Sequence, residues 1–244
     1  MRLSNKRIVI TGGSRGLGRA LATRFTQEGA RIALCARSLD DLKRTALELA
    51  SLGAPPLFAA CDVADARQVE QFADLVLGEF GAVDVLINNA ALLGTRSEIV
   101  EWTRPAWDRV MDVNISGVFS VTKAFLPSMI LQRSGSIINV SSSVGKSGKP
   151  RWGAYAVSKF ALEGFTQVLS AELVSSGIRV NSVNPGAIDT QMRHAAYPHE
   201  QRSELKPASE ATDVFVYLAS DESRGITGRC LEAQEFTRIK KETS

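Results

Sequence analysis

The sequence is poor in the features that mark several protein classes. It has three cysteines, at 35, 61 and 230, and no CxxC pair. So sparse and odd a set excludes a disulfide framework and suits a reducing compartment, so a cytoplasmic location is expected. No segment is apolar without interruption for the ~18 residues that a membrane span requires. The only apolar run near the N-terminus is the IVI of 8–10, too short for a signal peptide. Net charge is +3, with acids and bases interspersed, which argues against a nucleic-acid or membrane partner. The tryptophans, at 102, 107 and 152, are too scattered for a base-stacking platform. His194 and His199 lack companion cysteines or acids in a ligating pattern, so no metal site is expected.

What the chain does have is alternation. Short β-branched runs at 7–11, 31–36, 57–61, 83–88, 136–140, 179–183 and 229–233 read as strands. Helical periodicity fills the intervals at 15–28, 39–52, 65–80, 105–114, 116–132, 152–175 and 210–219. In the first of these, Leu17, Leu21 and Phe25 share one face. The strands are continuous apolar runs, as expected when both faces of a sheet are covered. Right-handed crossovers then predict an α/β fold, a doubly wound parallel sheet of about seven strands with helices on both faces. No linker or repeat divides the chain, so residues 1–244 are expected to form a single domain. The stretch 186–207 holds two prolines and both histidines and reads as a loop or lid, and the last five residues are polar and expected to fray.

Between the first strand and the first helix stands TGGSRGLG, residues 11–18. Gly12, Gly16 and Gly18 allow a tight turn and close backbone approach, while the N–H groups of Ser14, Arg15 and Leu17 open a helix that can receive a pyrophosphate. The spacing is GxxxGxG and not GxGxxG; its position after a strand and before a helix is the context that the dinucleotide reading requires. The second strand ends in Arg37, where an NAD site would carry an acid for the ribose 2′-hydroxyl. A guanidinium there suits a 2′-phosphate, and Arg15 is a second candidate for it, so NADP(H) is the expected cofactor with NAD(H) also admitted.

Tyr155 and Lys159 lie one helical turn apart, on one face. An ammonium beside a phenol favours the phenolate and lowers its pKa, which makes the pair able to give or take a proton at an alcohol oxygen. Ser142 precedes them at the end of the fifth strand, where parallel sheets bind ligands. Its hydroxyl is placed to hold a substrate oxygen, with Ser141 and Ser143 as rivals. Trp152 starts the same helix; a place in the cleft and a place in the core are both open to it.

Taken together, the TGGSRGLG loop, Asp62-Val63, the NNAA of 88–91, Asn114, Ser142, Tyr155 with Lys159, and the PGAIDT of 185–190 resemble the short-chain dehydrogenase/reductase family over nearly the whole chain. The resemblance implies a Rossmann fold and an NADP(H)-dependent hydride transfer between nicotinamide and a ketone or secondary alcohol, with 3-oxoacyl thioesters among the substrate classes. It implies a tetrad of Asn114, Ser142, Tyr155 and Lys159, in which Lys159 also holds the nicotinamide ribose and Asn114 supports a water chain to Lys159. By the same resemblance Asp62 and Val63 would meet the adenine and Asn88 and Ala90 its ribose. Pro185, Gly186, Ile188 and Thr190 would hold the nicotinamide end. A homotetramer or homodimer is implied as well. Two departures stand out: Ala91 replaces a usual glycine, and LEAQEF at 231–236 lacks the usual glycine pair. A dinucleotide-binding sensor or scaffold without catalysis is the alternative, and the presence of both Tyr155 and Lys159 speaks against it.

Overall fold

Each apolar run folds as a strand and each amphipathic stretch returns the chain to the next parallel strand. The computed structural model describes residues 1–236; the terminal residues expected to fray lie outside the described residues. The strands are β1 (Arg7–Thr11), β2 (Arg31–Ala36), β3 (Leu57–Ala60), β4 (Val85–Asn88), β5 (Gly135–Val140) and β6 (Ile178–Asn184), then the short β7 (Ile188–Asp189) and β8 (Lys206–Pro207), and last β9 (Cys230–Glu232). The helices are α1 (Gly16–Gln27), α2 (Leu39–Ala50), α3 (Ala66–Phe80), α4 (Arg104–Met111), α5 (Gly117–Gln132), α6 (Gly153–Glu172), α7 (Gln191–Ala196) and α8 (Asp213–Ala219).

Seven strands pair in the order β3-β2-β1-β4-β5-β6-β9, all parallel. The winding direction reverses between β1 and β4, which opens a crevice at the carboxyl ends of these strands. Alternation along each strand splits the core into two layers. Ile8 and Ile10 pack with Leu21 and Phe25 of α1, Leu42 and Leu49 of α2 and Phe215 of α8. Val9 faces the other way, with Phe72 and Val76 of α3 and Val121 and Phe125 of α5. Each such buried side chain contributes about 1.5–3 kcal/mol, so both layers clamp the sheet that carries the crevice.

Three stretches differ from the sequence expectation. The stretches 105–114 and 116–132 are one continuous helical run, α4 passing into α5 through a π turn at Asp112–Ser116. The wide turn absorbs one extra residue, so the backbone need not break at Asn114. This run is, among the described residues, the one helix long and apolar enough by composition to cross a membrane. Val121, Phe125 and Met129 instead bury it against the sheet. Within 186–207, expected as a loop, the chain forms α7 and the β7–β8 pair. Thr190 caps α7 by accepting from the Arg193 N–H at 3.1 Å, a local stabilisation independent of any long apolar pattern. The terminal helix, expected over 210–219, begins with a 3₁₀ turn at Ala208–Ala211.

Candidate active site

The glycine loop spans the crevice at the end of β1. Gly12 has φ +67°, open to glycine at no steric cost. Gly18 is held by proximity: a Cβ there would lie 2.2 Å from the Gly12 carbonyl oxygen and 2.6 Å from Asn89 Nδ2. The loop is braced from β4. Asn89 Nδ2 donates to the Thr11 and Gly12 carbonyls at 2.8 and 3.1 Å. Thr11 Oγ1 accepts the N–H groups of Asn89 and Ala90, both at 3.0 Å. The first turn of α1 has no side-chain cap and no acid, whereas Ser38 caps α2 and Asp65 caps α3. Free N–H groups, the positive end of a helix and a glycine cradle that any Cβ would fill fit a pyrophosphate. Leu17 anchors the helix by burial in the core, and the Ser14 carbonyl accepts from Thr45 Oγ1 at 3.2 Å.

Toward the adenosine end, Arg37 is exposed at the tip of β2 and its charge helps hold Asp62 ionised. Burial pushes the Asp62 carboxyl up, but hydrogen bonds from Arg109 and the Ala64 N–H outweigh it and bring it below the ordinary value. Val63 is buried beside Asp62, its carbonyl and a methyl against Gly117 at the start of α5. Arg15, the second candidate for that phosphate, donates to Gln191 Oε1 of α7 at 2.7 Å. Asn88, expected beside the adenosine ribose, is held from within the fold. It is 3% exposed, and its Nδ2 donates to Thr122 and Asn139 at 3.1 and 2.9 Å, which braces β4 against α5 and β5. Ala91 has no positive φ, so its methyl is compatible with the backbone there.

At the other end of the crevice α6 starts with Trp152 and carries Tyr155 and Lys159, which are 7% and 3% exposed. Of the three serines, Ser142 is the one whose side chain acts on the Tyr155 phenol, drawing its pKa down. Ser141 is buried without a partner for its hydroxyl, and Ser143 opens a 3₁₀ turn. Lys159 Nζ donates to the Val140 carbonyl at 2.7 Å and sits 5.5 Å from the centre of the Tyr155 ring. Asn114, in the π turn, is 1% exposed; it exchanges bonds with the Leu92 backbone at 2.7 and 3.0 Å and donates to Ser158 Oγ at 2.9 Å. Ser158 in turn donates to the Tyr155 carbonyl at 2.7 Å. Asn114 therefore reaches the Tyr155 turn of α6 through Ser158, a link that only the fold reveals.

The electrostatics reverse one expectation. Burial pushes the Tyr155 phenol up to about 12, opposed only in part by the Ser142 hydrogen bond. Desolvation disfavours the phenolate, and the Lys159 ammonium, committed to the Val140 carbonyl, does not overcome it. Tyr155 is thus a proton-holding acid at neutral pH. Lys159 is pushed down to about 8 by the same burial, opposed by Glu163. Its ordinary value in an unfolded chain is about 10.4. Above pH ~8 the folded protein releases this proton before the unfolded chain does, so the group's contribution to stability rises with pH. Lys159→Met should therefore be stabilising relative to wild type near neutrality, and that advantage should shrink by about 2 kcal/mol toward pH ~9.5. Denaturant melts at both pH values measure the difference; a constant gap would contradict a depressed lysine.

The segment after β6 closes over the crevice. Gly186 has φ +74°, and a Cβ there would lie 2.5 Å from Gln234 Cγ. Gln234 Nε2 donates to the Pro185 carbonyl at 3.0 Å, and Ala233 and Phe236 are buried. The unusual C-terminal stretch thus clasps the Pro185-Gly186 turn with a side chain. Ile188 is buried in the core, and the Thr190 methyl faces Gly16. His194 bonds Asp189 at 2.7 Å and His199 is exposed. Three cleft-side contributors were not singled out in the sequence: Asn89, Ser158 and Arg96. Asn89 stood within the quoted NNAA, whereas Ser158 and Arg96 carry no local signal.

A doubly wound sheet with a glycine loop at its reversal and a buried Ser-Tyr-Lys cluster across the crevice defines a dinucleotide-dependent oxidoreductase architecture. Residues 6–201 match the family model for short chain dehydrogenases, and the chain belongs to that family. It is 35% identical to the uncharacterized oxidoreductase YciK of Escherichia coli, over 95% of this chain and 93% of that one. It is 37% identical to the 3-oxoacyl-(acyl-carrier-protein) reductase FabG of Thermotoga maritima, over 95% and 97% of the two chains. A short chain dehydrogenase of Shigella flexneri, solved as a complex with NADP, superposes with a TM-score of 0.92 at 34% identity, covering 96% of this chain and 98% of that one.

Proposed function

We propose that the protein is an NADP(H)-dependent reductase, working as a single domain, that converts a ketone of a small-molecule substrate to a secondary alcohol with Tyr155 as proton donor. The observation that carries this reading is the buried Tyr155 phenol, beside Ser142 and one turn from Lys159. NADPH, when bound, supplies the hydride. Ser142 and Tyr155 orient the substrate oxygen, and Tyr155 gives it the proton as negative charge develops. Burial that keeps Tyr155 protonated favours this direction. Lys159, its proton poised near neutrality, stabilises and reprotonates the tyrosine, and Asn114 fixes the helix turn that presents both.

The glycine loop from Gly12 to Gly18 holds the pyrophosphate in this reading, with Asp62, Val63 and Ala90 toward the adenosine and Pro185, Gly186, Ile188 and Thr190 toward the nicotinamide. Arg37 selects the 2′-phosphate. Arg37→Ala is expected to weaken NADPH by about tenfold or more and to leave NADH nearly unaffected; fluorescence titration with both cofactors measures this, and equal losses would contradict the assignment. A 3-oxoacyl thioester is one substrate class to try, since the Thermotoga relative is named for it. A panel of carbonyls assayed with NADPH and NADH tests the function as a whole.

The reading includes a homodimer or homotetramer in the cytoplasm, consistent with three free thiols. Phe119 on α5 and Val157, Phe160 and Val168 on α6 are large apolar side chains left exposed on the monomer. Burying them against a second copy removes that surface from water. Light scattering at micromolar concentration should return a multiple of 26.3 kDa; a monomer would contradict it.

A further inference from the structure

Beside Tyr155 the cleft wall is built from aromatic rings and one arginine. Trp152 lies 5.7 Å from Tyr155 and 5.8 Å from Tyr197, centre to centre. The Arg96 guanidinium sits on both rings, its Cζ 4.4 Å from the centre of Trp152 and 5.1 Å from that of Tyr197. Its one hydrogen bond goes to the Ala196 carbonyl at the end of α7. Its Nε is shielded from water and has no acceptor. No acid pairs with it among the described residues, whereas Arg193, also over the Tyr197 ring, is neutralised by Glu200.

A guanidinium stacked on two rings, with one N–H shielded from water and another spent on a carbonyl, keeps donors to spare for an acceptor that arrives. The loop before Trp152 carries Lys146, Lys149 and Arg151, and the acids that meet it are already taken up: Lys146 pairs with Glu232, and Arg151 is loosely paired with Glu98 at 3.8 Å. One ring, Trp152, stands between the Arg96 guanidinium and the reacting phenol.

We propose that Arg96 is a specificity residue that binds an oxyanion, a carboxylate or a phosphate, carried by the carbonyl substrate a few bonds from its ketone. This rests on the reductase reading and narrows its substrate class to anionic ketones. Arginine matches such groups through paired N–H donors. The same contact draws on α7, because the Ala196 carbonyl shares the guanidinium.

The test is binding to the Tyr155→Phe protein saturated with NADPH, which separates recognition from turnover. Linear oxo acids of increasing chain length, their methyl esters and the matching keto-alkyl phosphates are titrated by calorimetry. At least one acid or phosphate is expected to bind about tenfold or more tightly than its neutral counterpart. Arg96→Met, which keeps the apolar stem on the rings, should abolish the preference and leave the neutral ketones unchanged; Arg96→Lys should restore it in part. Equal binding of charged and neutral members, or an equal loss of both in Arg96→Met, would overturn the proposal and leave Arg96 as a packing tie for α7. In the protein with Tyr155 intact, the same series distinguishes the two readings. Acid preference without turnover would remove the reductase reading alone, and turnover indifferent to charge would remove the role of Arg96 alone.

Discussion

Tyr155→Phe is expected to lower kcat by about 10²–10⁴-fold, with NADPH affinity and thermal stability nearly unchanged. The ring stays where Trp152 packs against it, and only the hydroxyl that faces Ser142 is lost. The size of the effect follows from the charge that builds on the carbonyl oxygen during reduction. Without the phenol, Ser142 alone faces that oxygen, and water has little access to a residue 7% exposed. The phenol's high pKa also sets the expected pH behaviour. The acid is fully protonated through neutrality, so a loss of rate near pH ~8 would report Lys159 and not Tyr155. Steady-state rates of both proteins, together with NADPH titrations, measure this. Unimpaired turnover in the phenylalanine variant would remove Tyr155 as the acid.

The second large effect is at Gly18. Glycine inside a helix ordinarily costs about 1 kcal/mol relative to alanine, so propensity alone favours substitution. Here a methyl would meet the Gly12 carbonyl at 2.2 Å and Asn89 Nδ2 at 2.6 Å, and neither can yield without undoing the brace of the loop. Overpacking of this kind costs about 1–3 kcal/mol. It also spreads α1 from the turn that offers the pyrophosphate its N–H groups. Gly18→Ala should lower the melting temperature and weaken NADPH by about tenfold or more. Gly78→Ala is the control: it lies on the exposed face of α3 with nothing within 4 Å of the added carbon, and it should stabilise by up to about 1 kcal/mol. A Gly18 variant as stable as the Gly78 variant would contradict the close-approach account.

The sheet was legible in the sequence because strands buried on both faces are written as unbroken β-branched runs such as RIVIT and SIINV. The glycine loop and the Tyr155–Lys159 turn were legible because their spacing is local. What was not legible depends on distant partners. The direction of Asn88 is set by Thr122 and Asn139, from a different helix and a different strand. The π turn at Asn114 is indistinguishable in sequence from a break between helices, since one polar residue interrupts the apolar pattern in either case. α7 is six residues long, too short to show periodicity. The Tyr155 pKa turns on burial, and a neighbouring lysine four residues away in sequence says nothing of where its ammonium is spent. The Gln234 clasp on Pro185-Gly186 joins the C-terminus to a turn 49 residues earlier, which no spacing rule anticipates.

The central claim, that hydride delivery and proton donation meet at Tyr155, is tested most directly by following label from NADPH deuterated on the transferable position of its nicotinamide. With a ketone found active in the panel, mass spectrometry of the product should find one deuterium on the carbinol carbon for the unaltered protein and almost no labelled alcohol for Tyr155→Phe. Labelled alcohol formed at the same rate by both proteins would contradict it.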